Sequence, residues 1–164
     1  MLFAIDTNPL IDWAQGHDDI PECFGLIKKL IPGISIIVPP TVLHELGHFA
    51  RTNEKGLGGS ALKALKLIRS EAMLKPINLV PVGHGIVEIN AWKIRESKLI
   101  HEEERNDSLI LAEAGLLECS VLLTSDSDLT GIDPRDLREL MKGFDGSVPI
   151  IKSPHQIIKQ FGAK

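Results

Sequence analysis

Three short apolar runs constrain this chain more than anything else in it: Leu2-Phe3-Ala4-Ile5, Ile34-Ser35-Ile36-Ile37-Val38 and Val121-Leu122-Leu123-Thr124. Each is too short for a helix and too continuously apolar to keep one side in water. Such runs read as strands buried on both faces, the signature of a parallel sheet. Parallel strands need long crossovers, and the intervening sequence offers helices. Asn8-Pro9 predicts a short helix with Asn8 as its cap and Leu10, Ile11, Trp13 and Ala14 on its apolar side. Phe24, Ile27, Leu30 and Ile31 predict a helix over 20–31, stopped by Pro32-Gly33. Further helices are expected over 41–51, 60–73, 86–99 and 108–117, from Asp133-Pro134 to about 142, and after Ser153-Pro154. Residues 79–82 are expected to be extended, and 148–151 to form an edge strand because of Pro149. The expectation is one α/β domain over residues 1–164, a central parallel sheet with helices on both faces.

Composition agrees. At 164 residues, 43% hydrophobic and 24% charged, the chain can bury a core and is neither disordered nor fibrous. No apolar run approaches the ~18 residues of a membrane span. The start of the sequence has no basic segment and reaches Asp6 too early for a signal peptide, so a cytoplasmic protein is expected. Cys23 and Cys119 are far apart and in no metal-ligand spacing, which fits free thiols rather than a disulfide or a catalytic cysteine. The 18 Lys and Arg against 22 Asp and Glu leave a net charge of −4, which argues mildly against phosphate binding unless carboxylates converge on a cation.

The acids are placed as that exception requires. In open parallel sheets, sites form beyond the carboxyl ends of the strands. Asp6 ends the first run, Asp126 and Asp128 follow the third, and Glu45 lies one turn into the helix after the second. Asp107 begins the helix from Ser108. Singly, each is an ordinary cap, turn or solvated helix residue. Together they form a candidate cluster whose repulsion only a cation relieves. All-oxygen ligands without cysteine select Mg²⁺ or Mn²⁺, and two such ions ~3.5–4 Å apart can drive phosphodiester hydrolysis.

These segments resemble, in order, the motifs of PIN-domain nucleases. Asp6-Thr7-Asn8 resembles the opening motif, and Val38-Pro39-Pro40-Thr41-Val42-Leu43-His44-Glu45-Leu46 the second, with its single glutamate. Asn106-Asp107 before an apolar helix containing Ala112 and Ala114 resembles the third. Leu123-Thr124-Ser125-Asp126-Ser127-Asp128-Leu129 resembles the fourth, and Ser153-Pro154-His155-Gln156-Ile157 the closing segment. The resemblance implies a metal-dependent endoribonuclease with Asp6, Glu45, Asp107 and Asp126 as catalytic metal ligands and Asp128 as an auxiliary acid. Thr124 would position ligands or water through its hydroxyl, and Asn8 is a further auxiliary candidate. Mg²⁺ or Mn²⁺ is the implied cofactor and RNA the substrate. The commonest bacterial setting is the toxin of a VapBC-type pair, with an antitoxin as partner and a homodimer as assembly. The chain is longer than the compact toxins by a helix and a Gly-rich loop between Glu45 and Asp107.

A rival reading shares Glu45. His44-Glu45-Leu46-Gly47-His48 matches H-E-x-x-H, in which two histidines one turn apart hold Zn²⁺ and the glutamate is the base of a protease. Glu71 is available as a distal ligand. That reading leaves Asp6, Asp107, Asp126 and Asp128 without a role, and the nuclease reading accounts for more. A third class is an inert PIN-like module that only binds RNA or protein. Other signals are weaker. Gly56-Leu57-Gly58-Gly59-Ser60 precedes a helix but lacks the lysine of a phosphate-binding loop, and reads as a surface loop. Lys63, Lys66 and Arg69 form a basic stripe able to grip an RNA backbone. Trp13 and Trp92 are expected in the core or at an interface.

Overall fold

The computed structural model describes residues 1–162. Five strands, β1 (Leu2–Ile5), β2 (Ser35–Val38), β3 (Leu74–Pro76), β4 (Val121–Leu123) and β5 (Ile150–Lys152), form one sheet in the order β3-β2-β1-β4-β5. Every pairing is parallel. Ala4, Ile5, Ile36, Leu122 and Leu123 are all at 0% exposure, although successive residues of a strand point to opposite faces. Both faces of the central strands are therefore covered, which is what the three continuous apolar runs anticipate.

The helices are α1 (Thr7–Ala14), α2 (Asp19–Leu30), α3 (Pro40–Thr52), α4 (Gly58–Ser70), α5 (Pro81–Glu96), α6 (Arg105–Leu116), α7 (Ser127–Thr130), α8 (Pro134–Met141) and α9 (Pro154–Phe161). None is long and apolar enough to cross a membrane. α3 packs on α4, α5 on α6, α2 on α9, and α3 also meets α6.

From β1 the chain moves to β2 and β3 on one side, then crosses back to β4 and β5 on the other. The crevice at the ends of β1 and β4 is thus the switch point of the sheet. The register pairs Ile5 with Leu123, so the next residues, Asp6 and Thr124, leave the sheet side by side. The backbone N–H of Asp6 still donates to Leu123 at 2.8 Å.

Several boundaries differ from the sequence expectation. Asp6, not Asn8, caps α1: its carboxylate accepts the N–H of Thr7 at 2.6 Å, and Pro9 falls in the first turn, where a missing N–H costs nothing. Residues 79–82 are not a strand, because Pro81 opens α5 and the extended segment is β3 instead. α4 begins inside the glycines, at Gly58, whose N–H is taken by the Asn53 side chain at 2.9 Å. It ends at Ser70, ahead of the expected 73, and α5 ends at Glu96 rather than 99. α6 begins at Arg105, so Asp107 lies within its first turn and does not precede it. One close backbone crossing requires glycine: at Gly146 (φ +113°) a Cβ would lie 2.2 Å from the carbonyl oxygen of Gly115. There the approach to β5 packs against the end of α6.

Candidate active site

Asp6 is 2% exposed and both its carboxylate oxygens are engaged. Oδ1 accepts from the N–H of Thr7, and Oδ2 from the hydroxyl of Thr124 at 2.7 Å. The Thr124 oxygen in turn accepts the N–H of Asp126 at 3.0 Å. One buried hydroxyl therefore links the acid that ends β1 to the acid that follows β4. Asp126 caps α7, its Oδ1 accepting from the N–H groups of Asp128 at 2.7 Å and Leu129 at 3.1 Å.

Glu45 reaches the same crevice from α3. Its Oε2 accepts from the hydroxyl of Thr7 and its Oε1 from the side-chain amide of Asn106 at 3.2 Å. Asp107, next to Asn106, arrives from the first turn of α6. Electrostatics record the convergence. Burial pushes Asp6 up to about 6, against the lowering effect of its bonds from Thr124 and Thr7, and the charges of Glu45 and Asp126 push the same way. Asp107 rises to about 7, first through burial and then through Asp6, Asp126, Glu104 and Glu45. The charges of Glu45 and Asp126 thus reach both Asp6 and Asp107, from separate segments of the sequence.

The donor chemistry suits a hard divalent cation: four carboxylates and no sulfur, with Asp6 and Asp107 held toward their protonated forms by burial and by neighbouring acids. Among the described residues no three His, Cys, Asp or Glu side chains stand close enough to hold an ion as they are.

The remaining candidates are placed less centrally. Asp128 is exposed; it lines a cavity of about 410 Å³ together with Asp107, Glu104 and Lys98. Asn8 is exposed on α1, and it is its neighbour Thr7 that contacts Glu45. Lys63, Lys66 and Arg69 are exposed on α4, and none lines the open cleft of about 830 Å³ that borders Glu45, Asn106 and Asp107. His44 and His48 do line that cleft, and Nε2 of His48 is 2.7 Å from Glu54. Trp92 is 54% exposed rather than core, whereas Trp13 packs edge-on to Phe24 at 5.3 Å. Burial holds the thiols of Cys23 and Cys119 protonated, at about 12 and about 11, which removes both from nucleophilic chemistry.

Sequence reasoning missed Thr7 and Asn106, the two groups that hold Glu45. Both sit beside a motif acid, and that adjacency was the available signal.

Fold and crevice together define an α/β protein with an acidic site at the switch point of a parallel sheet. The sequence matches the PIN domain model over residues 3–133, and the chain belongs to that family, whose nucleases generally use divalent metal ions. Among solved structures, VapBC2 from Rickettsia felis, bound to a DNA fragment from its promoter, is similar with a TM-score of 0.64. The match has 18% identity and covers 93% of this chain and 98% of that one, a likeness of fold. No curated protein is similar enough in sequence to match.

Proposed function

We propose that this PIN-domain nuclease is a metal-dependent endoribonuclease and the toxin of a toxin–antitoxin pair. The observation that carries the reading is the convergence of acids on one crevice: Asp6 is tied through Thr124 to the backbone of Asp126, Glu45 is held by Thr7 and Asn106, and Asp107 stands beside Asn106. Asp6, Glu45, Asp107 and Asp126 would hold Mg²⁺ or Mn²⁺, with Asp128 at the margin. Bound there, a divalent cation lowers the proton affinity of a water and stabilises charge on the phosphate.

The protein's own groups prepare that chemistry. Thr124 fixes the carboxylate of Asp6 and, through the N–H of Asp126, the turn that carries the second acid. Thr7 and Asn106 hold Glu45 from two sides. Asp107 borders both cavities and so faces whatever enters from either.

The antitoxin is suggested by the VapBC likeness. A homodimer is supported by α5, which leaves Val82, Ile89 and Trp92 exposed at 73%, 57% and 54% along one side. Crystals soaked in Mn²⁺ test the central assignment: anomalous density within reach of Asp6 and Asp126 is expected. Density held instead by His44 and His48 would favour the zinc-protease reading.

A further inference from the structure

α3 begins without a cap of its own. Pro39 precedes it and offers no side-chain bond, and Pro40 at its first position has no N–H. The first donor left open is the N–H of Thr41, and what meets it comes from another helix. Glu113 of α6, 2% exposed, accepts that N–H at 3.2 Å on each carboxylate oxygen and the Thr41 hydroxyl at 2.8 Å. Among the described residues no cation pairs with Glu113.

We infer that Glu113 is a positioning residue of the active site: by gripping the start of α3 from within α6, it sets where Glu45 stands relative to Asp107. This rests on the nuclease reading above. Glu45 lies one turn beyond Thr41 on α3, and Asp107 lies six residues before Glu113 on α6. The two helices come from different crossovers, α3 from that between β2 and β3 and α6 from that between β3 and β4. Two side-chain ties join them near the site. One is the exposed bond from Asn106 to Glu45, the other the buried grip of Glu113 on Thr41. Two separated ties fix rotation as well as distance, which one tie does not.

A cap alone would not need this arrangement. A Ser or Asp at position 39 would satisfy the same N–H from within α3 at no burial cost. A carboxylate sunk in the apolar Ile110-Leu111-Ala112 and Ala114 stretch carries a desolvation penalty that only its partners offset. Its distinctive consequence is the link between helices.

The experiment compares wild type, E113A, E113Q and T41V for Mn²⁺ affinity by calorimetry, for kcat and KM on RNA, and for amide exchange of the α3 first turn without metal. Partners that orient ligands typically contribute 10–100-fold in metal affinity. E113A should therefore weaken Mn²⁺ about tenfold or more and lower kcat in parallel, with KM little changed and α3 exchange faster even without metal. E113Q keeps an acceptor oxygen for Thr41 and should recover most of both. T41V keeps the N–H and should fall between them. If E113A does not fold, E113Q against T41V carries the same ordering. Wild-type Mn²⁺ affinity in E113A, or no recovery in E113Q, would overturn the positioning role. A wild type that neither binds Mn²⁺ nor cleaves RNA would overturn the nuclease reading itself, and this role with it.

Discussion

Thr124 donates its hydroxyl to Asp6 across 2.7 Å of space and 118 residues of sequence. The bond exists because β1 and β4 are parallel neighbours in register, Ile5 against Leu123, so that the residues leaving each strand meet. Site and topology are one fact here. The switch point brings the two segments together, and the hydroxyl, fully buried, ties them.

Removing that hydroxyl should cost stability as well as activity. T124V leaves the second oxygen of Asp6 and the N–H of Asp126 without their shared partner, a loss of about 1–3 kcal/mol. Urea unfolding should show a lower midpoint with an unchanged slope, and T124S should recover most of it. A T124V protein as stable as wild type would mean the linkage contributes nothing.

Glu113 should make stability depend on pH near neutrality. Burial raises it from 4.5 to about 7, opposed by its bonds from Thr41. A raised carboxyl holds its proton longer in the folded state than in the unfolded one. Stability therefore falls as pH climbs from about 4.5 to about 7, and the loss is complete above the folded value. E113Q has no proton to lose there. Thermal melts of E113Q should vary less than wild type across that window; equal slopes would show that Glu113 is not the titrating group.

Metal should act as a stabiliser with the opposite pH preference. Asp6 at about 6 and Asp107 at about 7 also favour the protonated fold, so without metal the protein loses stability as pH rises through that range. A divalent cation binds the ionised form. At about 100-fold above its Kd it adds about 2.7 kcal/mol, a shift of several degrees in Tm. Mn²⁺ should raise Tm clearly at pH 8 and little at pH 5, and D6N with D107N should abolish the shift. An equal rise at both pH values would point to binding elsewhere.

How far the sequence could be read follows from the range of the interactions involved. The buried strands were plain because three runs are apolar throughout, and requiring Asp6 and Asp126 to share one place put β1 beside β4. Helix ends were less legible. Pro81 and Gly58 start helices that side-chain periodicity places about five and two residues later, since the first turn makes few core contacts. Asp6 and Asp126 were legible because they follow strands, and Glu45 and Asp107 because they lie near the starts of helices. Thr7, Asn106 and Glu113 were not singled out, because each matters through a partner 38, 61 or 72 residues away. Glu113 did leave one trace, a lone acid between Ala112 and Ala114 in an apolar helix.

The central claim is that carboxylates, not histidines, do the chemistry. Cleavage of a structured RNA pool, with Mg²⁺, Mn²⁺ or EDTA, should be measured for wild type, D6N, D107N, H44A and H48A. Each Asp to Asn change keeps the shape and removes one ligand charge, so cleavage should drop at least a hundredfold, about 2.7 kcal/mol or more in the barrier. H44A and H48A should stay within a few-fold of wild type, and EDTA should silence all five. Cleavage that persists in EDTA, or that survives D6N and D107N while failing in H44A and H48A, would contradict the account.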